Sequence, residues 1–245
     1  MTRLFAFGCS HTYGQALPDV WDYENNKEIM TQGPSKYAWP QILSDKLNLD
    51  CITDRFFRYR KCINLGSPGA SNKEVWFHIV NTEFKKSDIV VILWPGRSRW
   101  CIIKDPVPYS AVVPVDMDYC RGVKDFNNKK VEKIVPFRLK KKHPPSTAFY
   151  KYLFDEHDYR IDYLMRVNYV SILLKNKVKI LKHYETEIGE SCNYPNWFMG
   201  KFCKEKFFID ILEKYPNAED NSHSGIDGHK AFANIVYKEI KNDLC

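Results

Sequence analysis

The stretch Phe5-Ala6-Phe7-Gly8-Cys9-Ser10-His11-Thr12-Tyr13-Gly14 decides how the rest of the chain is read. An apolar run of strand type, Arg3 to Phe7, stops abruptly in small residues. That is how an α/β protein delivers a side chain to the carboxyl edge of its sheet, where such folds place their sites. Ser10 is then the candidate nucleophile, although a serine after a strand is by itself more often a turn residue or helix cap. A second segment, Asp220-Asn221-Ser222-His223, followed by Gly228-His229 and an amphipathic helix, supplies what the hydroxyl lacks. A serine is unreactive at neutral pH unless a base takes its proton, and that base needs a carboxylate to hold its tautomer.

Working outward, Gln15 to Lys36 is rich in polar and turn residues and reads as a loop over the site, and Tyr37 to Leu49 as a first helix with Pro40 in its first turn. Arg60 to Leu65 reads as a second strand. Ser71-Asn72-Lys73-Glu74 has the spacing of a capping box and predicts a helix with Val75, Trp76, Ile79, Val80 and Phe84 on one face. The continuous apolar run Ile89 to Trp94 suits a central strand buried on both faces. From Pro95 to about Pro145 the pattern is irregular, too long for an ordinary connection, and reads as an insertion with small strands of its own. Thr147 to Asn176 predicts one long or broken helix, Val178 to Tyr184 a fourth strand, Lys204 to Lys214 a short helix and Gly228 to Lys241 a closing helix. This alternation argues for a parallel sheet with helices on both faces.

At 245 residues the chain has the size of one large α/β domain, enough to bury roughly 70 to 75% of its unfolded surface. No run approaches the roughly 18 apolar residues of a membrane span, and the N-terminus lacks a basic-then-apolar leader, so the expectation is a cytoplasmic protein with no membrane partner. The eight cysteines contain no Cys-x-x-Cys pair, which argues against a zinc ribbon or thioredoxin-type site and for free thiols. Nine Lys or Arg against two acids between Arg121 and Lys142 account for the whole net charge of +7. That stretch is a candidate polyanion or protein contact, weighed against a plain solvated face. It lacks the interleaved aromatics of a stacking nucleic-acid surface.

The residues quoted resemble the SGNH (GDSL-type) serine esterases and hydrolases. Gly8-Cys9-Ser10 is similar to the family's Gly-Asp-Ser block after strand one, Ile63-Asn64-Leu65-Gly66-Ser67-Pro68-Gly69-Ala70-Ser71-Asn72 to its second block, and Asp220-Asn221-Ser222-His223 to its closing Asp-x-x-His. Gly-Cys-Ser-His-Thr-Tyr-Gly also resembles a form associated with phage-encoded members, which would make virion association a further expectation. The resemblance implies a single three-layer α/β/α domain with a flavodoxin-like parallel sheet, in which the irregular stretch from Pro95 to about Pro145 is an insertion after the third strand. It implies Ser10 as nucleophile, His223 as base, Asp220 as its orienting partner, and the backbone amides of Ser10 and Gly69 as oxyanion donors, with no cofactor and no metal. The substrate it implies is a small ester, an O-acyl group that glycans can carry.

The chain departs from the family after strand three. Leu93-Trp94-Pro95-Gly96-Arg97-Ser98-Arg99 has no counterpart of the Asn that normally completes the oxyanion hole, leaving Arg97, Ser98 or Arg99 as substitutes and Asn72 as another amide nearby. Weak or lost catalysis, in a binding or virion-associated module that keeps the fold, is the alternative this departure leaves open. His11 and Tyr13 flank the serine and are candidates to line a pocket or simply to pack. Cys9 is a rival nucleophile, His229 a rival base and Asp227 a helix cap. Asp220, His223, Asp227 and His229 read less well as a metal cluster than as a triad, because the triad uses Ser10 as well.

Overall fold

The computed structural model describes residues 2–25, 27–29, 33–47, 62–96, 99–104, 107–111, 156–186, 208, 214–218 and 220–244. In chain order the strands are β1 (Leu4–Gly8), β2 (Trp21–Asp22), β3 (Lys27–Glu28), β4 (Cys62–Gly66), β5 (Ile89–Trp94), β6 (Trp100–Lys104), β7 (Val107–Ala111) and β8 (Ile180–Glu185). The helices are α1 (Ser10–Tyr13), α2 (Trp39–Lys46), α3 (Asn72–Val80), α4 (Glu156–Leu174) and α5 (Ile226–Leu244). Four strands form one all-parallel sheet in the order β4-β1-β5-β8.

Strand alternation sorts the core into two layers. Leu4, Ala6, Ile89, Val91 and Leu93 turn to one face, where Trp39 and Leu43 of α2 and Phe232, Val236 and Ile240 of α5 cover them. Phe5, Phe7, Val90, Ile92 and Trp94 turn to the other, against Val75 and Ile79 of α3 and Tyr163, Val167, Val170 and Leu174 of α4. Every residue of β5 is buried, as its unbroken apolar run requires. At the far edge Asp88, fully buried, receives both Nε and Nη2 of Arg3 at 3.0 and 2.6 Å, which ties the entrance of β1 to that of β5.

The chain leaves β1 for β4 on one side and returns to β5 on the other. The register sets Gly8 opposite Gly66 and Leu93, so the loops after all three strands open at one edge. Such a reversal of strand order leaves a crevice outside the carboxyl ends of the strands.

Several boundaries differ from expectation. The first helix is confined to Trp39–Lys46, with Pro40 in its first turn, and the closing helix is longer, starting at Ile226 and running to Leu244. The stretch from Gln15 to Lys36 is not all loop: β2 and β3 pair antiparallel within it, and Ala16 and Trp21 pack against Ala218, two residues before Asp220. Two β-strands of only two residues leave no period for sequence pattern to register. The β6–β7 hairpin follows β5 directly, within the stretch expected as an insertion. Residues 97–98, 105–106 and 112–145 of that stretch, the basic segment 121–142 among them, residues 147–155 and most of 204–214 lie outside the described residues. No helix among the described residues is long and apolar enough to cross a membrane.

Candidate functional site

Ser10 opens α1 directly on the end of β1. Cys9 before it is the extended N-cap residue, fully buried in the same core cluster as Phe5 and Phe7. The rival thiol is therefore a core side chain. Ser10 itself is 5% exposed and belongs to no core cluster. The turn is clamped onto β4: Asn64 donates its amide Nδ2 to Thr12 O at 2.7 Å and accepts the Gly66 amide at 2.9 Å. Gly66 is required there, since a Cβ would stand 2.4 Å from Tyr13 N and 2.7 Å from Thr12 C. Gly69 sits in the turn after β4 with φ of 74°, a left-handed conformation that glycine adopts without strain. Among the described residues, the amides of Ser10 and Gly69 and the Ser10 hydroxyl make no hydrogen bond.

The second half of the site is a tight turn ahead of α5. Asn217 and Ser224 bridge, Ala218 N donates to His223 O at 2.8 Å, and Asn221 takes the left-handed conformation at φ of 54°. This geometry folds the Asp220 side chain back over its own turn. Its carboxylate accepts the amides of Ser222 and His223, both at 3.0 Å, the Ser222 hydroxyl at 2.9 Å, and a short contact from His223 Nδ1. Burial works to raise the carboxyl, but the His223 hydrogen bond and charge together with the two amides outweigh it and hold Asp220 well below the usual carboxylate range. A proton on Nδ1 facing Asp220 leaves the lone pair of His223 on Nε2.

The two segments meet through His11. Its ring centroid lies 5.2 Å from that of His223 and 4.8 Å from that of Phe208. Burial, reinforced by the positive potential of His223 and Arg99, holds His11 neutral and well below the ordinary histidine range. A residue adjacent to Ser10 and the proposed base are thus neighbours, across more than two hundred positions of sequence. Ser10 Oγ and the His223 ring are not hydrogen-bonded to each other in this structure.

The other sequence candidates fall into distinct places. His229 is buried on α5 and accepts the Trp39 amide on Nδ1 at 3.2 Å. Ala38 gives α2 no side-chain cap, so His229 satisfies a first-turn amide of that helix from 190 residues away. Burial, then the charge of His223, lowers its pKa to about 3. Asp227 does not cap α5; it lies inside the first turn, where a negative charge suits the helix dipole, and takes Lys230 Nζ at 2.9 Å. With His229 committed to Trp39 and Asp227 to Lys230, these residues do not converge with Asp220 and His223. Among the described residues no group of three or more His, Cys, Asp or Glu side chains is arranged to hold a metal. Tyr13 packs with Leu17, Val20 and Ala38.

Asn72 and Arg99 are both at the site's edge and both buried, 2% and 8% exposed. Arg99 donates Nη1 to Ala70 O at 3.0 Å, and its own carbonyl accepts the Tyr159 hydroxyl. Arg97 and Ser98 lie outside the described residues. Sequence reasoning missed the capping role of His229 and the Asn64 clamp. Neither has a local signal, because each partner is distant in the chain.

Comparison of the chain with protein-family models, with curated proteins and with solved structures finds no match.

Proposed function

We propose that this protein is a serine hydrolase of the SGNH type that cleaves an ester through an acyl-enzyme on Ser10, the acyl group being small and the alcohol half a glycan hydroxyl or similar. The observation that carries the reading is the Asp220–His223 pair standing beside His11, next in sequence to Ser10, at the carboxyl edge of the sheet. In the reaction, Ser10 Oγ attacks the ester carbonyl as His223 Nε2 takes its proton. The oxyanion accepts the unpaired amides of Ser10 and Gly69, an interaction worth roughly 3 to 4 kcal/mol per donor. Collapse expels the alcohol, which leaves with the proton from His223. Water, deprotonated by the same nitrogen, then attacks the acyl-enzyme, and the carboxylic acid is released as Ser10 Oγ takes that proton back from His223. Asp220 remains ionised throughout and stabilises the imidazolium.

A fluorophosphonate probe should label Ser10 and leave Ser10→Ala unlabelled; folded wild-type protein that stays unlabelled overturns the reading. A catalytically weak binding module of the same fold is the second reading, supported by the unmade Ser10–His223 hydrogen bond and the missing Asn after β5. It loses if p-nitrophenyl acetate is cleaved by the wild type and not by Ser10→Ala.

A further inference from the structure

The rim of the site carries more hydrogen-bond donors than an ester oxyanion can use. The Ser10 and Gly69 amides supply two donors to that oxyanion, and one more would fill the place of the Asn missing after β5. Beyond them, among the described residues, the Asn72 side chain is buried with both Nδ2 and Oδ1 unpaired, and Arg99 Nε is buried without a partner. The two are linked through one short piece of backbone, since Arg99 holds Ala70 O and Ala70 stands between Gly69 and Asn72. Among the described residues no carboxylate pairs with Arg99. Its Nη2 is neither hydrogen-bonded nor among the sealed polar atoms, so one arm of the fork stays open.

A guanidinium largely removed from water without a counter-anion is costly, and an unpaired buried amide adds to that cost. The unpaired donors among them, Asn72 Nδ2 and Arg99 Nε, are accounted for when a ligand supplies acceptors. The pair is rich in donors and net positive, and a planar fork with an open arm matches an anionic group with two or more oxygens. Asn72 is also the first residue of α3, a nine-residue helix whose N-terminal dipole favours the same charge.

We infer that Arg99 and Asn72 form a subsite for an anionic group on the substrate, so that the ester cleaved carries a carboxylate or phosphate close to the scissile bond. This rests on the esterase reading and specifies its substrate class. The subsite selects substrates by charge, through a contact separate from the oxyanion.

Two measurements test it. In the first, kcat/KM is compared for p-nitrophenyl butyrate and mono-p-nitrophenyl succinate, which differ chiefly by a terminal carboxylate. The wild type should favour the succinate ester by about tenfold, the scale of one charge-assisted hydrogen bond. Arg99→Gln should abolish that ratio and Arg99→Lys should retain part of it. An unchanged ratio in Arg99→Gln overturns the subsite, including the case in which both esters slow equally, because Arg99 would then serve the oxyanion. In the second, succinate and inorganic phosphate are added separately to wild type, Arg99→Gln and Arg99→Lys and the Tm is followed; stabilisation of the wild type that Arg99→Gln lacks supports the subsite and tells carboxylate from phosphate. If neither ester turns over but this shift is present, the hydrolase reading fails and the anion site stands. Absence of both the shift and the ester preference overturns the anion site.

Discussion

Two sides of one crevice are built on opposite principles. On the C-terminal side, Asp220 accepts four hydrogen bonds within its own turn, and that turn is braced by Ala218 against Ala16 and Trp21. On the N-terminal side, the Ser10 hydroxyl and amide, the Gly69 amide, the Asn72 amide group and Arg99 Nε have no partner among the described residues. A saturated carboxylate can orient a base but offers nothing to a ligand, whereas the unpaired donors are unspent within the fold. The difference separates a half whose polar groups are satisfied internally from a half whose donors are not.

If that division is right, the largest effect belongs to Ser10→Ala. It should lower ester hydrolysis by roughly 10⁴-fold while the Tm moves by less than about 2 °C. Comparable residual activity in the variant would place the chemistry elsewhere. Asp220→Asn should follow, lowering kcat by roughly 10³-fold with KM little changed, since a misoriented imidazole impairs the transition state more than binding. Equal losses in kcat and 1/KM would instead put Asp220 in substrate contact.

Gly66→Ala tests the seam between the halves. A methyl group 2.4 Å from Tyr13 N has to displace the Ser10 turn. We expect a loss of about 2 to 3 kcal/mol, read as a Tm lower by roughly 5 to 10 °C, with activity reduced alongside. An unshifted Tm would mean that α1 sits loosely on β4.

The smallest effect is a change of slope. The folded-state pKa of His229 is depressed to about 3 from an ordinary 6.5, so the folded protein binds fewer protons than the unfolded chain in that interval. The stability contributed is fully present above about pH 6.5 and is lost as pH falls toward 3, at up to about 1.4 kcal/mol per pH unit. His11 acts in the same direction. In His229→Gln, whose side-chain oxygen can still accept the Trp39 amide, urea midpoints between pH 6.5 and 4 should fall less steeply than in the wild type. Parallel curves would show that His229 is not the group being charged.

Much of the fold was legible because its signals are local. The unbroken run from Ile89 to Trp94 had to be a strand buried on both faces, and the Ser71-x-x-Glu74 spacing marked the start of α3, where Ser71 Oγ accepts the Glu74 amide at 3.2 Å. Tyr163, Val167, Val170 and Leu174, at helical spacing within the long helix expected from Thr147 to Asn176, are core in the structure. The two-residue strands β2 and β3 escaped because they carry no period, and Asp227 was misjudged as a cap because α5 begins one residue before it.

The sequence by itself determined the alternation of strands and helices, the small residues at the ends of β1 and β4, and the carboxylate–imidazole pair three positions apart, all matters of short-range spacing and side-chain size. Only the tertiary structure decided that His11 and His223 lie ring to ring, that His229 Nδ1 is spent on the Trp39 amide, and that Arg99 is buried on Ala70 O with no counter-charge among the described residues. Those facts depend on strand order. The reversal between β4, β1 and β5 brings distant loops to one edge, and no local pattern of residues encodes which loops will meet there.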